Sequence, residues 1–189
     1  MEASDDAVRA LNAAMDRYAE GDDQAFGQVY DLLAPRLLGF FMRHVQGRAR
    51  AEDLVQQTLL QMHAARRNYA RGSSVLPWAF AIGRHVMIDA RRRSSREVLF
   101  QTAEDDSAAP NLKVARDSGP EDLAAARQIA ERVSRELERL PRSQTAAYDL
   151  VREDGLSVAE AAQVLGITPT AIRLRVHRVY EALRDVLGE

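Results

Sequence analysis

The chain contains no cysteine. That absence excludes disulfides, thiolate zinc sites and cysteine nucleophiles. No apolar run approaches the length of a membrane span, and no signal-peptide pattern is present, so the reading predicts a cytoplasmic protein. No glycine-rich phosphate loop and no Ser/His/Asp arrangement occurs, and the four histidines do not fall in metal-ligand spacing. Paired acids such as Asp22-Asp23 and Asp105-Asp106 sit in turn-like or linker-like sequence, where carboxylates are ordinarily solvated. The expectation is a protein that is not an enzyme, with no catalytic residue, no cofactor and no metal. Lysine is nearly missing too: Lys113 stands alone among 26 basic residues. Arginine suits phosphate and guanine through its planar fork, and a GC-rich genome would give the same bias.

What is present is unevenly distributed. The formal net charge of −2 hides a division. Residues 1–96 carry 14 basic against 11 acidic side chains, residues 97–126 carry 2 against 7, and residues 127–189 carry 10 against 10. An acidic middle between neutral-to-basic ends suggests a linker joining two modules. Strand signals are nearly absent and helical period dominates. Val8, Leu11, Met15 and Tyr18 mark a helix over 5–20, broken at Gly21. A second helix from Phe26 is interrupted or kinked at Pro35 and ends at Gly47. A third spans 51–69, with Leu54, Thr58, Met62, Ala65 and Tyr69 on one stripe. Pro77 opens a fourth, running to about Arg96. Residues 100–120 show no period and read as a flexible tether. A helix from Glu121 stops at Pro141, and another covers roughly 142–153. The fold class is therefore all-α: two small helical domains, 1–97 and 121–189, joined by a flexible acidic linker, 98–120.

The stretch from Ser157 to Arg184 carries the sharpest local signals. Ser157 followed by Glu160 is a capping-box pattern. Val158, Ala161, Ala162 and Leu165 form a narrow apolar stripe, and Ala162 is small enough for a close helix crossing. Gly166 stands where a turn needs positive φ, Ile167 plugs the corner, and Thr168-Pro169 restarts a helix as N-cap and first residue. Ile172, Val176, Val179 and Leu183 then line one buried face. The opposite face presents Thr170, Leu174, His177 and Arg178, flanked by Arg173 and Arg175. This pattern fits a helix-turn-helix whose second helix enters a major groove. A solvated helix pair in a small bundle is the plainer alternative. Upstream, Arg84, His85 and the run Asp89 to Arg96 form a second cationic stretch, either a phosphate-binding surface or a helix C-terminus favoured by its dipole. His85 and Asp89, four residues apart, are spaced to pair.

Together these segments resemble an extracytoplasmic-function (ECF) sigma factor, the minimal two-domain member of the sigma-70 family. Gly21 to Phe26 with Tyr30 and Pro35-Arg36-Leu37 resembles region 2.1. Ala51 to Thr58 resembles region 2.2, Pro77 to Arg84 with Asp89 to Arg93 resembles regions 2.3 and 2.4, and Leu140 to Gln144 with the helix-turn-helix resembles region 4. The resemblance implies docking of Asp53, Gln56, Gln57 and Leu60 on the β′ clamp region of core RNA polymerase, with a further contact to the β flap. It implies reading of the −10 element by Asn68, Arg71, Ser73, Ser74, Trp78, Arg84, His85, Asp89, Arg91, Arg92 and Arg93. It implies reading of −35 duplex by Thr170, Arg173, Leu174, Arg175, His177 and Arg178. An anti-sigma factor is the implied regulator. The chain departs from the family pattern at Gln57, usually an acid, at Leu59, usually aromatic, and at His85 and Leu174, commonly Asn and Ser. A phosphate on Thr58, beside the lost acid, would restore negative charge there. Two rivals share the composition: a free-standing helix-turn-helix regulator, which predicts tight binding to a palindromic duplex, and a protein that sequesters a partner.

Overall fold

The computed structural model describes residues 2–98 and 120–187. The described residues contain eight α-helices and no strand. The chain divides into two compact units, one within residues 1–106 and one within 107–189. Residues 99–119 of the predicted linker lie outside the described residues; of its two end residues, Val98 closes α4 and Pro120 opens α5.

The first unit is built from α1 (Glu2–Glu20), α2 (Ala25–Met42), α3 (Arg48–Ala65) and α4 (Val75–Val98), with a single 3₁₀ turn (Arg66–Asn68) after α3. Leu11, Ala14, Met15 and Tyr18 bury the face of α1 that its period predicts. Gly21, at φ +108°, turns the chain towards α2. Pro35 does not break α2, which runs through it. The carbonyl that Pro35 leaves without its helical partner belongs to Asp31, and both Asp31 and Pro35 are exposed. Leu33, Leu37 and Phe41 on the other side are fully buried.

The predicted third helix ends four residues early. Ala65 gives way to the 3₁₀ turn, and Tyr69 has extended backbone at φ −67°, ψ 126°. Its ring is still buried, delivered to the core by the turn rather than by continued helix. Pro77 lies in the first turn of α4 and not at its first position; a missing N–H costs nothing there either. At the centre, Gly83 lets α4 approach α2 and α3. A methyl group at Gly83 would stand 3.1 Å from Phe41 Cζ and 3.5 Å from Thr58 Oγ1.

The second unit comprises α5 (Pro120–Arg139), α6 (Arg142–Arg152), α7 (Val158–Leu165) and α8 (Pro169–Leu187). The capping box forms in full: Glu160 N–H donates to Ser157 Oγ at 3.2 Å, and Ser157 N–H donates to Glu160 Oε2 at 2.8 Å. Gly166 ends α7 in the left-handed region at φ 65°, ψ 37°, and Ile167 N–H returns to Ala162 O at 3.1 Å. That closure satisfies the last free carbonyls of α7. Thr168 Oγ1 accepts from Ala171 N–H at 3.2 Å and caps α8. The buried stripe of α7 is Ala161, Ala162 and Val164, with Val158 and Leu165 only half-buried; its centre is displaced by one residue from the predicted one. Ile172, Val179 and Leu183 of α8 are buried, as are Ala147 and Leu150 of α6, the helix α8 packs on, and Leu156 in the loop before α7. Ser157→Ala removes the acceptor of the box and should lower the stability of this unit by about 1 kcal/mol. Thermal unfolding of the variant beside Ser157→Asp, which keeps an acceptor, checks this.

Candidate nucleic-acid interface

On α8, Thr170, Arg173, Leu174, His177 and Arg178 are all exposed, and Leu174 shows 49% of its surface to solvent. An apolar side chain this open at the middle of a cationic face belongs to no core. His177 Nε2 lies 3.3 Å from Glu181 Oε1. Arg175 differs from its neighbours. It is half-buried, and its Nη1 donates to Ser143 O at 3.3 Å, tying α8 to the start of α6.

The second predicted site lies between the 3₁₀ turn and α4. Asn68, Arg71 and Ser73 are exposed, while Ser74 and Trp78 are half-buried. The Trp78 and Tyr69 ring centroids are 5.2 Å apart. The Tyr69 hydroxyl donates to Ser73 O. Burial pushes the Tyr69 phenol up to about 12, and the Asp16 carboxylate adds to the effect, so it stays a neutral donor. Arg71 pairs with Glu20. Gly72 N–H donates to Asp16 Oδ1 and Val75 N–H to Asn12 Oδ1, both at 3.0 Å. Asn12, Asp16 and Glu20 escape sequence reasoning because a polar four-residue spacing on a first helix reads as a solvated face.

Along α4 the predicted residues separate. Arg84 is half-buried; His85, Asp89, Arg92 and Arg93 are exposed. The predicted His85–Asp89 pairing is not what forms. His85 Nδ1 donates to Ala81 O at 2.7 Å, while Asp89 lies 4.0 Å from Arg92. A carbonyl one turn back offers the ring a shorter reach. Arg91 is half-buried and its Nη2 donates to His44 O at 2.6 Å, joining α4 to the end of α2. The helix continues to Val98, so Arg91, Arg92 and Arg93 lie before its last turn.

Asp53, Gln56, Gln57 and Leu60 share the open face of α3, and Leu60 is 62% exposed. Gln56 and Leu60 also edge a groove of about 1000 Å³ between α2 and α3, which Tyr30, Pro35, Leu38 and Leu59 line. The α2 side of this groove was missed. Its signal is in the sequence, because α2 is apolar on more than one face. At one end of the groove Tyr18 and Arg66 meet the His63 ring, Tyr18 bonding to Nδ1 and Arg66 lying 3.0 Å from Nε2. Burial raises the Tyr18 phenol, and the Arg66 guanidinium opposes the shift. Thr58 corrects a sequence expectation. It is completely buried, and its Oγ1 donates to Leu54 O at 2.7 Å. A phosphate cannot reach it in the folded unit, and two charges beside Phe41 and Gly83 would find no counterpart. Among the described residues no three His, Asp or Glu side chains gather to hold a metal, and no helix is long and apolar enough to cross a membrane.

A capped helix-turn-helix with an outward arginine face, preceded by a separate bundle that braces a polar loop, defines a DNA-binding protein of transcription. Residues 29–97 match the Sigma-70 region 2 model and residues 130–183 the Sigma-70 region 4 model. The chain is 34% identical to RNA polymerase sigma factor CarQ of Myxococcus xanthus, over 93% of this chain and 96% of that protein. It is 35% identical to ECF RNA polymerase sigma factor SigF of Caulobacter vibrioides, over 95% of each. The sigma factor RpoE from Bartonella quintana, solved in complex with the anti-sigma factor NepR, superposes with a TM-score of 0.70 at 26% identity, covering 86% of this chain and 96% of that one. The chain belongs to the ECF sigma factors, which direct RNA polymerase to start transcription at particular promoters.

Proposed function

We propose that this sigma factor divides promoter recognition between its units, with residues 1–97 and 121–189 as the working domains and 98–120 as the linker. The observation that carries this reading is the open cationic face of α8 around Leu174, on a helix that buries Ile172, Val179 and Leu183 on its other face and leaves Val176 half-buried. Thr170, Arg173, His177 and Arg178 contact bases or phosphates of the −35 duplex, and Leu174 meets a thymine methyl. Arg175 acts at the edge of this face, since part of its guanidinium is held by α6. Asn68, Ser73 and Ser74 read the edge of an unstacked −10 base, whose capture offsets the cost of opening. Trp78 and Arg71 border that site. Arg84, His85, Asp89, Arg92 and Arg93 follow the adjoining backbone, and Arg91 holds their helix in place. Asp53, Gln56, Gln57 and Leu60 dock on the β′ clamp region, with Leu60 as the apolar anchor, and the second unit contacts the β flap.

The protein performs no catalysis itself and works in the cytoplasm, where the polymerase is. The complex of the Bartonella protein with NepR supports an anti-sigma factor as the regulator here.

Transcription by purified core RNA polymerase plus this protein, read across a genomic promoter library, tests the proposal. Defined starts sharing a −10/−35 pair are expected. Tight duplex binding by the protein alone, without core binding, would replace the reading with a free-standing regulator. Within the same assay, Leu174→Ser should erase preference at one thymine of the −35 element and leave the others intact. Arg178→Ala should weaken −35 recognition by about 1–3 kcal/mol if the fork grips guanine. An unchanged base-substitution series for Leu174→Ser removes the methyl contact.

A further inference from the structure

The matched region 2 begins at residue 29, so α1 lies outside it. Yet α1 makes the most consistent set of contacts to the loop preceding α4. Asn12, Asp16 and Glu20 follow one another at four-residue spacing and share a face of the helix. Asn12 Oδ1 holds Val75 N–H and Asp16 Oδ1 holds Gly72 N–H, each at 3.0 Å, and the Glu20 carboxylate pairs with Arg71.

Val75 is the first residue of α4, and an amide at a helix start has no acceptor within its own helix. Asn12 supplies one from a different helix. Gly72 sits at φ +75°, a conformation a free loop would leave readily, and Asp16 pins its amide. From the other side, the Tyr69 hydroxyl fastens Ser73 O. The main chain is thus fixed at 72, 73 and 75, while the side chains of Asn68 and Ser73 stay exposed. Selection by hydrogen bonds falls off steeply with distance and angle. A loop that reads a base edge therefore depends on where its backbone is held.

We propose that the Asn12–Asp16–Glu20 face of α1 is a positioning element that sets which base the 68–76 loop accepts at the −10 element. It rests on the reading of that loop given under Proposed function. The three residues touch no DNA; they act through the backbone of Gly72 and Val75 and through the guanidinium of Arg71. A face serving stability alone would, when cut, lower transcription equally on every promoter. A positioning face changes the ratio between bases.

The test uses full-length protein, core RNA polymerase and a promoter series substituted at each −10 and each −35 base. Asp16→Ala should narrow the ratio between preferred and disfavoured −10 bases about five- to tenfold, the effect of one lost hydrogen bond. The −35 ratios and the affinity for core should stay within about twofold. Asp16→Asn keeps the Oδ1 acceptor and should restore most of the discrimination. Equal loss on all −10 bases, or no rescue by Asp16→Asn, overturns the proposal. Should Asp16→Ala fail to fold by circular dichroism, Glu20→Ala carries the test, because that pair is exposed. A folded Glu20→Ala with unaltered −10 ratios overturns it as well. If the unsubstituted protein gives no −10-dependent starts with core polymerase, the promoter reading itself fails, and that shows before any variant is made.

Discussion

Phe41→Ala should destabilise the first unit by about 3–5 kcal/mol, the range for removing a fully buried phenylalanine. Phe41 has no exposed surface. Its ring meets Phe40 edge-on with centroids 5.3 Å apart, and it lies beneath the glycine where α4 crosses. Alanine leaves a cavity bounded by three helices, and close packing at Gly83 hinders collapse around it. The chain has one tryptophan, Trp78, and it lies in this unit. Tryptophan fluorescence therefore follows unfolding of the first unit alone, while circular dichroism follows both. Phe41→Ala should move the fluorescence midpoint in urea sharply downward. Phe41→Leu, which fills most of the space, should lose under half as much. A loss below about 1 kcal/mol would mean the ring is not packed as described.

Ile172→Ala should have the mirror effect. Ile172 is completely buried at the point where α8 passes over α6 and α7. A truncation of this kind costs about 2–5 kcal/mol, a large share of what a unit of this size has to lose. Tryptophan emission should unfold as before, while helicity from the second unit disappears at much lower urea. In transcription, promoters that depend on the −35 element should lose at least tenfold in output, while affinity for core polymerase contributed by the first unit persists. Full −35-dependent transcription by Ile172→Ala would mean that the helix-turn-helix tolerates a cavity at its crossing.

The two units were unequally legible. The helix-turn-helix depends on local signals: a serine hydroxyl reaching three residues ahead, a glycine at φ 65°, a threonine cap before a proline. Each works within a few residues and so is written in the local sequence. The loop proposed to read the −10 element is held by Asn12, Asp16 and Glu20, whose partners lie 51 to 63 residues away. Nothing in a first helix announces such a partner. Arg91 illustrates the same limit, since its charge reads as a phosphate contact and only packing reveals the carbonyl of His44. Thr58 shows how a stripe and a motif compete. The apolar stripe predicted burial and the region 2.2 pattern suggested modification; the stripe prevailed, because a hydroxyl can satisfy itself on the carbonyl one turn back. The α2–α3 groove needed both helices in place, although the off-core Tyr30 and Leu38 carried its trace.

The crossing at Gly83 has a mechanical consequence. Most helix pairs are separated by interlocked side chains that can change rotamer and take up small displacements. Here, at Gly83, the backbone of α4 faces the Phe41 and Thr58 side chains with no side chain of its own between. α3 bears the face proposed for the polymerase, and α4 bears the residues proposed for DNA. A push on one face reaches the other as rotation of a stiff body, not as a bend absorbed along the way. If both faces act as proposed, the angle at which polymerase seats this unit fixes the angle at which α4 meets the promoter.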